Sequence, residues 1–78
     1  MDDAKVNAIV ASYADKFSRL ILAEEAAAIA GIPVKTIHDW SSRGLFDGFK
    51  FKMGRRIRLD RDAFVRFLVA QSGGSAKP

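Results

Sequence analysis

Cysteine is absent from this chain of 78 residues, and histidine occurs once, as His38. Without thiols there is no disulfide, no thiolate nucleophile and no cysteine-ligated zinc, and a reducing cytoplasm is the expected compartment. A single histidine excludes a histidine-rich metal centre. No apolar run approaches the roughly 20 residues that cross a bilayer, and the charged start MDDAK lacks the basic-then-apolar order of a signal peptide. There is no phosphate-binding loop and no nucleophile motif. Neither catalysis, nor a cofactor, nor a metal, nor a small-molecule substrate, nor a membrane partner is therefore expected.

What is present suits one small domain. Hydrophobic residues make up 49% of the chain, and six phenylalanines, one tryptophan and one tyrosine can fill a core without metals or cross-links. The net charge is +4, but its distribution says more than its total. Residues 1–25 carry three basic and five acidic side chains, whereas residues 35–66 carry nine basic and four acidic. Positive potential is concentrated in the second half.

Along the chain, Val6, Ile9, Val10, Tyr13, Ala14 and Phe17 recur at steps of three and four, which predicts an amphipathic helix over residues 3–17, started by Asp2 or Asp3. AEEAAAIA predicts a second, short helix that ends at Gly31. Pro33 suits the opening of a third helix, VKTIHDWSSR, with Ile37 and Trp40 facing inward and Gly44 closing it. Two helices joined by a short, glycine-containing turn are the signature of a helix-turn-helix. Beyond Gly44 the period changes to two. FKFK and RRIRL predict two strands joined at Met53 and Gly54, with Phe49 and Phe51 inward and a cationic face outward. Asp60 is placed to cap a last helix, RDAFVRFLVAQ, and SGGSAKP has no core-forming residue. The expected organisation is an N-terminal amphipathic helix (1–18), a winged helix-turn-helix (19–71) and a tail (72–78), mainly α with a small β-hairpin wing.

The exposed face of the third helix carries Lys35, His38, Asp39 and Ser42, with Thr36 beside them. In a helix-turn-helix the second helix lies in the major groove with its N-terminal residues against base edges, so these are the candidates for reading sequence, and Arg43 for a phosphate. Lys50, Lys52, Arg55, Arg56 and Arg58 crowd the hairpin with no acidic residue between Asp47 and Asp60. An ordinary surface hairpin mixes both signs. These cations are the candidates for DNA backbone or minor-groove contact. Trp40 is expected in the core, not stacked on a base. The pairs Asp60 with Asp62 and Glu24 with Glu25 read as charges at helix N-termini, not as an acid and a base.

From Leu20 to Leu68 the chain resembles the excisionase and MerR-like family of winged helix-turn-helix DNA-binding domains. EEAAAIAGIPVKTIHDW, RGLF and GRRIRLDRDAFVRFL carry the resemblance. Where that family commonly has a hydroxyl N-cap and a serine opening the recognition helix, this chain has Leu22, placed for a short strand, and Pro33. The resemblance implies a bacterial or phage-encoded, nucleoid-associated protein whose partner is double-stranded DNA. It implies an accessory factor, a recombination directionality factor, that bends DNA to direct an integrase or other recombinase toward excision. The alternatives are a small MerR-like transcription regulator using the same face, and a protein-interaction adaptor that keeps the scaffold but turns its basic face to an acidic partner. A single module buries roughly 600–1,000 Å² on DNA and binds weakly alone, so cooperative self-association on DNA is expected. The N-terminal helix lies outside the resemblance. It is expected to pack on its own domain, the alternative being a neighbour.

Overall fold

In the computed structural model, which describes residues 3–73, the chain forms α1 (Asp3–Ala14), β1 (Leu20–Leu22), α2 (Ala23–Ala30), α3 (Val34–Ser42), β2 (Lys50–Met53), β3 (Arg56–Asp60) and α4 (Arg61–Gly73). Asp2 and the tail from residue 74 lie outside the described residues. Four helices and a small antiparallel sheet make this the expected winged helix-turn-helix with an additional N-terminal helix. No helix among the described residues is long and apolar enough to cross a membrane.

The helix pair follows from local chemistry. Ala23, Ala26 and Ala27 fall on one side of α2 and are buried, and their short side chains let Ile37 of α3 reach full burial. Leu22 has no side-chain oxygen with which to cap α2; instead the Glu25 carboxylate accepts a hydrogen bond from the Leu22 N–H at 2.8 Å. Gly31 ends the helix at φ 70°, in the left-handed region that favours glycine. Pro33 is the N-cap of α3, and its carbonyl accepts from the Thr36 N–H at 3.0 Å. At the other end the Gly44 N–H donates to the Ser41 carbonyl (3.1 Å) and the Leu45 N–H to that of Trp40 (3.2 Å). Those paired bonds make a Schellman turn, with Gly44 at φ 83°.

The sheet has the order β1-β3-β2. Leu22 does lie in a short strand, and Ile21 beside it pairs with Leu59, putting both in the core. Two expectations for the hairpin are corrected. Met53 pairs with Arg56, so the turn residues are Gly54 and Arg55 instead of Met53 and Gly54. Gly54, at φ 64°, supplies the left-handed first position of a two-residue hairpin turn. The second correction concerns the faces of β2. Lys50 pairs with buried Leu59, and Phe51 with Arg58, so the lysines lie on the inner side and Phe51 points outward. Phe49 precedes the strand and still reaches the core, its ring 5.6 Å from that of Phe46. The turn before β2 breaks the simple alternation.

Phe46 sits at the centre, fully buried, with the rings of Trp40, Phe64 and Phe67 centred 6.3, 5.6 and 5.4 Å away. Burying such a side chain stabilises the fold by about 1.5–3 kcal/mol. Trp40, half-buried, packs against this core on the side its spacing predicts. The Asp60 carboxylate caps α4 by accepting from the Ala63 N–H at 3.0 Å. Arg61, almost fully buried, ties the N-terminal segment down. Its guanidinium donates to the carbonyls of Phe17 (2.7 Å) and Ala14 (3.3 Å). With Val10 buried and Asn7 accepting from Arg66 at 3.0 Å, α1 rests on α4 of its own chain. The helix stops at Ala14, three residues short of the periodicity, while α4 runs two residues past Gln71.

Candidate nucleic-acid interface

The Schellman turn fixes where α3 ends, and its buried side (Ile37 and Ser41) fixes which residues face solvent. Lys35, His38, Asp39 and Ser42 are exposed together, and Thr36 is half-buried beside them. This face is internally braced at its C-terminal end. Arg43 pairs with Asp39 across one turn at 3.2 Å, and the Ser42 hydroxyl donates to the Asp39 carbonyl at 2.8 Å. An exposed pair of this kind contributes little stability. Its consequence is that Asp39 partly neutralises Arg43, whereas Lys35 and His38 have no such partner among the described residues.

The hairpin stands beside this helix. Lys52, Arg55 and Arg56 are exposed, Arg55 and Arg56 at or beside the tip. A groove of about 320 Å³ runs between hairpin and helix, lined by His38 and Ser41 of α3, Arg55 and Arg56 of the hairpin, and Glu24 in the first turn of α2. The structure thus brings His38 and the two tip arginines onto one concave surface. Two of the sequence candidates are placed differently from that cluster. Lys50 is half-buried, its ammonium donating to the Ser41 carbonyl (3.2 Å) and hydroxyl (3.1 Å) and lying 3.7 Å from Asp47. It links β2 to the C-terminal turn of α3, where cations are favourable. Arg58 is half-buried on the outer sheet face opposite Phe51, and its Nε is buried with no hydrogen-bond partner among the described residues.

Sequence reasoning missed Ser41 and Glu24. Ser41 follows Ile37 by four positions, so helical spacing alone places it on the inner side, within reach of Lys50. Glu24 meets the groove through packing of α2 on α3, for which nothing local gives a signal.

At the junction of β3 and α4, burial pushes the Asp60 carboxyl up, but other effects outweigh it. The Arg19 guanidinium bond, the Ala63 N–H and the charges of Arg19 and Arg61 hold it below the usual carboxylate range. That clamp lies away from the groove and secures the frame beneath it.

Chemically the surface offers a helix face with varied donors and acceptors beside a hairpin rich in guanidinium groups. The first can distinguish base edges, and the second can neutralise phosphates. A family model described as a helix-turn-helix domain matches residues 23–72, more than half of the chain. No curated protein matches the chain, and no solved structure does.

Proposed function

The chain belongs to the helix-turn-helix domain family, whose members bind double-stranded DNA sequence-specifically, and on that premise we propose that it is an accessory factor of the excisionase type. In this reading α3 enters the major groove, with Lys35, Thr36, His38, Asp39 and Ser42 toward base edges and Arg43 toward the backbone. The hairpin reaches the flanking backbone or minor groove through Lys52, Arg55, Arg56 and Arg58, while Lys50 holds the hairpin against the helix. The observation that carries the proposal is the groove that joins His38 to Arg55 and Arg56. A reading element and a gripping element face the same ligand.

The described fold is too small to bind tightly by itself. A single module buries about 600–1,000 Å² on DNA, so occupancy of several adjacent sites is the way such a protein attains useful affinity. Copies arrayed along bent DNA would supply a platform for an integrase.

Footprinting on DNA around the protein's own gene, with and without an integrase encoded beside it, tests this. The proposal expects several short repeated protected sites and an integrase footprint that strengthens when the protein is added. Protection of a promoter alone, with the integrase footprint unchanged, would instead identify a transcription regulator of MerR-like shape.

A further inference from the structure

We propose that Phe51 and Met53 form an apolar wedge that enters between neighbouring base pairs beside the hairpin; this rests on the reading of the hairpin as a DNA contact. The register puts Phe51 opposite Arg58 and Met53 opposite Arg56, so all four side chains share the outer sheet face. Phe51 is 47% exposed and Met53 51%. Folding gains little from apolar groups so exposed. A surface hairpin ordinarily turns its polar residues outward and its apolar residues inward, and β2 does the reverse, with Lys50 and Lys52 on the inner side.

The charge around the pair selects the occupant. Between Asp47 and Asp60 there are two lysines and three arginines and no acidic residue. A second copy presenting the same face would be repelled, whereas a polyanion would be attracted. Shape agrees. The turn has two residues, Gly54 contributes no side chain, Met53 closes the ribbon beside the turn, and Phe51 lies two residues behind it on the same face of the edge strand. Phenylalanine and methionine are among the side chains that unstack base steps from the minor groove, with arginines holding the flanking phosphates. The wedge gives the hairpin a means of kinking DNA, which phosphate contacts alone do not supply.

The test compares the wild type with the double variant Phe51→Ala, Met53→Ala on duplexes that the wild type selects from a random-sequence pool. 2-Aminopurine is placed at each flanking position in turn, and dyes at the duplex ends report bending. The wild type should raise 2-aminopurine fluorescence at one flanking step and shorten the end-to-end distance. In the double variant both signals should vanish and affinity should fall about tenfold or more, the loss expected from leaving such side chains in water. The slope of log affinity against log salt should stay unchanged, because no phosphate contact is removed. Phe51→Leu with Met53→Leu should keep most of the bend, and thermal melting should show all variants folded. Unchanged bend and fluorescence in the alanine variant would overturn the wedge. So would unchanged single-site binding with loss of cooperativity between adjacent sites, which would make the face a protein interface. If the wild type selects no duplex, the DNA-binding reading fails, a different result from loss of the wedge alone.

Discussion

α3 and the hairpin beside it are built on opposite terms. α3 is locked on three sides, by Ile37 in the core, by Trp40 against Phe46 and Phe67, and by the Schellman turn at Gly44. Its exposed face mixes cation, imidazole, carboxylate and hydroxyl. The hairpin leans on the rest of the fold through its base, where Leu59 is buried and Lys50 bonds to Ser41, and its tip is exposed and cationic. Chemical variety on a rigid support serves discrimination, and like charge on a projecting support serves attraction. In the proposed reading this difference gives sequence preference to α3 and salt-dependent affinity to the hairpin.

The largest effect should come from removing what both regions share. Phe46→Ala takes away the ring against which Trp40, Phe49, Phe64 and Phe67 pack, and should cost about 3–5 kcal/mol in chemical denaturation, enough to threaten the whole fold. A loss confined to one region, with the other still native by amide exchange, would show that the two do not rest on one core. Next in size, Lys35→Ala or His38→Ala should lose about 1–3 kcal/mol per base contact on the selected duplex and little on an unrelated one. Equal losses on both would move these residues into the phosphate-binding class and erase the contrast.

Lys50→Gln sharpens the comparison at the joint between the regions. It should lower stability by about 1.5 kcal/mol, the low end for hydrogen bonds to a charged group. Protection of the flank by the hairpin should weaken while major-groove protection by α3 persists. The salt slope should not change, whereas loss of a phosphate contact would reduce it by about 0.9. Rescue by Lys50→Arg would separate loss of the strut from nonspecific damage.

The smallest effect concerns the frame. Because Asp60 titrates below its unfolded range, its contribution is present above about pH 4 and is lost as pH falls through the folded value. Asp60→Asn keeps a capping oxygen and should flatten the acid side of a melting-temperature profile. Asp60→Ala should also lose about 1 kcal/mol of cap at neutral pH. An unchanged acid limb in both variants would remove Asp60 from the account.

How much of this was legible beforehand depended on how local the cause was. The bounds of α2, the end of α3 and the Asp60 cap were readable because helical spacing, glycine, proline and a capping carboxylate act within a few residues. The polar face of α3 was readable for the same reason. The inner face of β2 was not. Alternation of Phe with Lys fixes two faces but not which is inward, and here the Phe46 ring cluster takes Phe49 while Ser41 takes Lys50. Arg61 was equally opaque, since it looks like an exposed first-turn charge and instead binds carbonyls 44 and 47 residues earlier in the chain. Long-range capture of a polar side chain leaves no periodic trace.

The central claim is that the hairpin supplies the electrostatic grip for a separate reading helix, and a salt titration of duplex binding tests it most directly. Arg55→Ala with Arg56→Ala should reduce the slope of log affinity against log salt by about 1.8, two phosphates' worth, on selected and unrelated duplexes alike. An unchanged slope together with wild-type affinity at moderate salt would contradict it.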